Sequence, residues 1–169
     1  MDWSYVMDWS SVPWGTVFAY LGVAFSAIFA GFGSAIGVGI AASAADGVMS
    51  ENPDLFGSLI VLVALPGTQG IYGLLIAFLI LLRIGGLGEP EVVTIGQGLS
   101  LFAGALPMGA VGYLSAVNQG KAAAAGIGLV ARRPEASGKA ITTTVMVETY
   151  AVLALLISFL VVMFVPIGL

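Results

Sequence analysis

Glu148 lies deep within an apolar run, with Thr142-Thr143-Thr144-Val145-Met146-Val147 before it and Ala151-Val152-Leu153-Ala154-Leu155-Leu156-Ile157 after it. The other acidic residues lie at the amino terminus or in short polar connections. A carboxylate inside a membrane span costs roughly 2.5–3.5 kcal/mol even on lenient insertion scales. Such a group must be neutralised by a proton or by a bound cation. The alternative is a helix-end carboxylate that snorkels to the headgroups. Its short stem and the long apolar stretch still to come argue against that. Glu148 reads as an ion-carrying carboxylate.

A second cluster is Leu65-Pro66-Gly67-Thr68-Gln69-Gly70-Ile71-Tyr72. Leu65, Thr68, Gln69 and Tyr72 fall at i, i+3, i+4 and i+7, one stripe on one helix face. Pro66 has no N–H, so a carbonyl one turn earlier loses its partner and the helix loosens locally. Membranes tolerate such breaks where the backbone lines a site. Taken alone, this stripe leaves a lesser alternative open, polar glue between two helices. Gln119, in Gln119-Gly120-Lys121, is a third polar intrusion into an apolar run.

The elements that carry these residues follow from composition. The chain has 169 residues, 59% hydrophobic and 8% charged, with a mean hydropathy of +1.08. Soluble domains carry about 25% charged residues. Four long apolar stretches predict an all-α membrane protein with four transmembrane helices. Cysteine and histidine are absent, which excludes disulfides, thiol catalysis and the usual zinc sites. The net charge of −4 says little, because the charges sit in loops.

Residues 1–12 form an aromatic and acidic segment without the basic start or small-residue cleavage site of a signal peptide. Asp-Trp-Ser occurs at Asp2 and again at Asp8, a repeat without an assigned role, and Trp3, Tyr5, Trp9 and Trp14 suit the headgroup level. A first hairpin is predicted over 13–83, with spans at 13–45 and 55–83 around a polar turn at 46–54. A second covers 94–165, with spans at 94–131 and 138–165 around a turn at 132–137. The stretch Ala30-Gly31-Phe32-Gly33-Ser34-Ala35-Ile36-Gly37 lacks the last glycine of a dinucleotide fingerprint and the Gly-Lys-Ser/Thr of a P-loop. Its small residues at helical spacing predict close helix packing in lipid. The third span, at ~1.5 Å per residue, is ~55 Å long against a hydrocarbon core of about 30 Å, so its end should project from the membrane.

The two hairpins are a duplication. A shift of 81 aligns Asn52-Pro53 with Arg133-Pro134, Gly57 with Gly138, Leu74-Leu75-Ile76 with Leu155-Leu156-Ile157 and Phe78-Leu79 with Phe159-Leu160. Under this shift Glu148 falls on Gly67, so the second half alone carries the carboxylate. Arg132, Arg133 and Lys139 flank the second turn, while Arg83 stands alone at the other side, which places both turns in the cytoplasm and both termini outside. Thr68 and Gln69 lie 15 and 16 residues beyond Pro53, Glu148 lies 14 beyond Pro134, and Gln119 lies 15 before it. All four are therefore expected ~21–24 Å below the hairpin tips, at one level. An oxygen-rich set of this kind suits a hard cation.

The Leu65–Tyr72 motif, Gln119-Gly120-Lys121-Ala122-Ala123-Ala124-Ala125-Gly126-Ile127 and Met146-Val147-Glu148-Thr149-Tyr150 together resemble the membrane-rotor proteolipid of V-type ATPases. The closer similarity is to its sodium-translocating prokaryotic form, the K or c subunit, and it covers both hairpins. The resemblance implies a ring of copies assembled side by side, with the first and third helices lining the inside and the second and fourth facing outward. It implies one Na+ per copy, held by Glu148, Thr68, Gln69, Gln119 and the Leu65 carbonyl, with Tyr72 hydrogen-bonded to Glu148. It further implies a stator subunit that supplies an arginine, a central stalk docked on the cytoplasmic turns, and lipid around the ring in a prokaryotic plasma membrane. Neither catalysis by this chain itself nor a nucleic-acid partner is expected. A proton-carrying proteolipid is the alternative within the class, and a four-helix channel or cation exporter the alternative outside it.

Overall fold

A computed structural model describes residues 11–88 and 91–167. The aromatic and acidic residues of 1–10, with the Asp-Trp-Ser repeat, lie outside the described residues. The described chain is helical. Helix α1 spans Trp14–Glu51, α2 Phe56–Ala64, α3 Thr68–Arg83, α4 Ile95–Arg132 and α5 Ser137–Phe164. Single 3-10 turns at Pro53–Leu55, Leu65–Gly67 and Pro134–Ala136 join or interrupt them. With those turns the described residues make four rods long and apolar enough to cross a membrane, of 38, 31, 38 and 31 residues. It is an all-α membrane fold of two duplicated hairpins.

The hairpin tips repeat in detail. Asn52 precedes Pro53 at φ −140° and ψ 87°, and Arg133 precedes Pro134 at φ −142° and ψ 82°. A proline's ring excludes the helical region for the residue before it, so each long helix stops one residue short of its proline. The first helix thus continues through Asp46–Glu51, where the sequence suggested a polar turn. Polar side chains mark exit from an apolar medium, but they do not break a hydrogen-bonded backbone. Thr94 caps α4, accepting from the Gln97 N–H while Gln97 Oε1 accepts from the Thr94 N–H.

Size, more than polarity, separates inside from outside. The buried face of α1 is Gly15, Ala19, Gly22, Ser26, Ala30, Gly33, Gly37, Ala41 and Ala45, with Ser34 beside them. Its exposed face carries Tyr20, Leu21, Ile28, Phe29, Phe32 and Ile36. Lipid gives apolar residues no reason to hide, so close backbone approach through small residues decides which face packs. α1 packs most extensively on α4, α4 on α5, and α1 also on α3. At the centre, a Cβ on Gly120 would lie 2.4 Å from the Gly37 carbonyl oxygen. A Cβ on Gly37 would lie 2.3 Å from the Ala116 carbonyl oxygen and 2.8 Å from Pro66 Cβ. These two glycines bring α1, α4 and the Pro66 turn together beside the polar cluster.

Candidate ion-binding site

Pro66 leaves a one-turn 3-10 segment between α2 and α3. The Leu65 carbonyl there accepts from the Thr68 backbone N–H and, at 3.0 Å, from the Thr68 hydroxyl. α3 therefore begins at the site, and its early N–H groups need partners from elsewhere. Ser34 of α1 supplies one, its Oγ accepting from the Gly70 N–H at 2.8 Å. The stripe expected from the sequence stays on one side of this interrupted rod. Gln69 is fully buried, while Leu65, Thr68 and Tyr72 are half-buried.

From this stripe a continuous chain of contacts crosses to α4 and α5. Thr68 Oγ1 lies 3.4 Å from Gln69 Oε1. Gln69 Nε2 donates to Gln119 Oε1 at 2.5 Å and to Ser115 Oγ at 3.4 Å. Gln119, also fully buried, donates through Nε2 to the Thr144 carbonyl at 3.3 Å and to Glu148 Oε2 at 3.4 Å. The Tyr72 hydroxyl donates to the other carboxylate oxygen, Glu148 Oε1, at 2.6 Å. Leu65, Thr68, Gln69, Tyr72, Gln119 and Glu148 thus belong to one network, carried by α3 and its preceding turn, α4 and α5.

The network contains one carboxylate and no basic side chain. Among the described residues no three His, Cys, Asp or Glu side chains gather as metal ligands. The carboxylate meets the Tyr72 hydroxyl and the Gln119 NH2, and the neutral oxygens of Leu65, Thr68, Gln69 and Gln119 lie farther along the same network. Glu148 is half-buried, and it borders a shallow groove of about 330 Å³ with Val145, Thr149, Val152 and Leu153. The carboxylate thus has an inner side bound to α3 and α4 and an outer side against an apolar groove.

Two participants are absent from the sequence-based set. Ser34 stands in the small-residue stretch expected to pack helices, and Ser115 has no role in the sequence reading, yet both hydroxyls bond into the site. Ser115 stands one helical turn before Gln119, on the same face, and Ser34 stands 81 residues before Ser115. That register was the available signal. Earlier in α4 a serine from α5 does related work: with Pro107 inside the helix, the Met108 N–H is accepted by Ser158 at 3.0 Å.

Residues 21–80 and 102–161 each match the ATP synthase C-subunit family, and the two matched segments stand in the register of the duplication. The chain is 46% identical over 149 residues to the V-type sodium ATPase subunit K of Enterococcus hirae, across 88% of this chain and 92% of the relative. It is 44% identical over 131 residues to the A-type ATP synthase subunit K of Methanocaldococcus jannaschii, across 78% of this chain and 55% of that relative.

Proposed function

This chain belongs to the ATP synthase C-subunit family, and we propose that it is the ion-carrying rotor subunit of a V-type rotary ATPase, moving one sodium ion per copy at Glu148. It is a non-catalytic membrane subunit, and its copies assemble into a ring. The observation that carries the reading is the unbroken network from the Leu65 carbonyl through Thr68, Gln69 and Gln119 to Glu148 and Tyr72.

Sodium suits that network in charge and in chemistry. One carboxylate neutralises one monovalent cation, whereas a divalent ion would leave a net positive charge among apolar helices. The Leu65 carbonyl, Thr68 Oγ1, Gln69 Oε1, Gln119 Oε1 and Glu148 are oxygen ligands of the kind hard cations take. Thr68 spends its proton on Leu65, so Thr68 Oγ1 and Gln69 Oε1 present lone pairs 3.4 Å apart. Two ligands at right angles around a cation ~2.4 Å from each would stand about that far apart. A proton would need only Glu148 and one hydrogen-bond partner, leaving Thr68, Gln69 and Gln119 without a role. The curated relative whose name includes sodium agrees with the same choice.

Loaded with sodium, Glu148 is neutral and can face lipid as the ring turns. At the stator, an arginine from another subunit offers the carboxylate a competing positive charge and releases the ion. The tips at Asn52–Leu55 and Arg133–Ala136 face the cytoplasm and take the central stalk, with the termini outside. Replacing Glu148 by Gln tests the reading. The ring should assemble normally, and ATP-driven sodium uptake into vesicles by the intact enzyme should vanish. Uptake near the wild-type rate would remove Glu148 from the mechanism.

A further inference from the structure

We infer that Ser115 is a positioning residue for the ion site, helping to fix which end of the Gln69 carboxamide faces the cation; the inference rests on the sodium reading above. A carboxamide has an oxygen at one end and an NH2 of similar size at the other. Only the oxygen can ligate a cation. Gln69 is fully buried, so no water can rescue a wrong orientation.

The contacts around Gln69 set that orientation. Its Nε2 has two acceptors, Gln119 Oε1 and Ser115 Oγ, and its Oε1 lies beside Thr68 Oγ1. Gln119 sets part of this direction, because its own NH2 is held on the Thr144 carbonyl at 3.3 Å and on Glu148 Oε2 at 3.4 Å, which leaves its oxygen facing Gln69. Ser115 adds a second acceptor from a separate anchor. Its one proton is directed to the Val147 carbonyl at 3.0 Å, so it meets Gln69 with lone pairs only. Turning Gln69 over would set its oxygen against the Ser115 oxygen and its NH2 towards Thr68 and the cation. The Val147 carbonyl is an anchor in the backbone of α5, next to Glu148. Through Ser115, the segment carrying the carboxylate therefore shares in setting the polarity of a ligand on α3.

The duplicated half supports a specific role over general packing. Ser34 holds the equivalent register in α1, and its hydroxyl accepts from the Gly70 backbone N–H. The same position is thus occupied by serine twice, and the copy beside the carboxylate accepts from a ligand side chain where the other accepts from backbone. Ser115 is itself 6% exposed. On its outer side lies a groove of about 380 Å³ with Val111, Leu114, Asn118, Val147 and Tyr150, which leaves room for one added methyl group.

The test uses purified rings of wild type, Ser115→Ala and Ser115→Thr, with sodium titrated against carbodiimide modification of Glu148. The sodium concentration for half-protection should rise at least fivefold in Ser115→Ala and stay within twofold of wild type in Ser115→Thr. Ring melting temperature and the sodium-free modification rate should match wild type in both. Equal half-protection in wild type and Ser115→Ala would overturn the inference, as would a Ser115→Thr ring impaired as far as Ser115→Ala. A wild-type ring that sodium does not protect is a separate result: it sinks the sodium reading and this inference with it.

Discussion

Tyr72 and Glu148, 76 residues apart in the chain, meet at 2.6 Å, the tyrosine hydroxyl of α3 donating to the carboxylate of α5. The contact holds the carboxylate on the side where the neutral oxygens lie and away from its apolar groove. Tyr72→Phe keeps the ring and removes the hydroxyl. A hydrogen bond to a charged group contributes about 1.5–3 kcal/mol, and each 1.4 kcal/mol is a factor of about ten in affinity. Sodium affinity should fall about tenfold or more, read by isothermal titration of the purified ring, with assembly unchanged. Affinity equal to wild type would make Tyr72 a bystander.

The neutral ligands should matter to sodium and little to the fold. Thr68→Ala together with Gln119→Ala removes two oxygens from the network. At roughly 1 kcal/mol or more for each lost ligand, sodium binding should weaken well over tenfold. The two sites share partners through Gln69, so the double variant should depart from the sum of the singles. Strict additivity in the same titration would mean that the two side chains act at separate places.

Much of this was legible in the sequence because lipid leaves few options. A carboxylate among apolar residues demands a neutralising partner, and four apolar runs demand helices. The X-Pro pairs at Asn52-Pro53 and Arg133-Pro134 fix both the breaks and the duplication. Counting residues from those prolines placed Thr68, Gln69, Gln119 and Glu148 at one depth. The structure links these four through contacts that a depth count cannot specify. Two things were harder to read. Helix α1 runs through polar Asp46–Glu51, because side-chain polarity reports the medium and not the backbone. Ser115 and Ser34 are small enough to pass for packing residues, and only the direction of each hydroxyl distinguishes a spacer from a participant.

The proposed orientation makes its own prediction. Ser50, near the end of α1, and Ser137, at the start of α5, stand beside the two hairpin tips. The wild-type chain has no cysteine, so a single cysteine at either position is a clean reporter. A membrane-impermeant maleimide should label both variants in inside-out vesicles and neither in intact cells. Labelling of intact cells would invert the topology and move the stalk-docking surface to the other end.

The most direct measurement is carbodiimide modification of Glu148 in the purified wild-type ring, followed by mass spectrometry across sodium concentration and pH. The reagent attacks the protonated carboxyl, whereas bound sodium holds the carboxylate ionised and occupied. Sodium and protons therefore compete for one group. Millimolar sodium should slow modification, and raising the pH should strengthen the protection, because fewer protons contend with each ion. Modification indifferent to sodium at every pH, accompanied by ATP-driven acidification of vesicles in sodium-free medium, would contradict the account and make Glu148 a proton carrier.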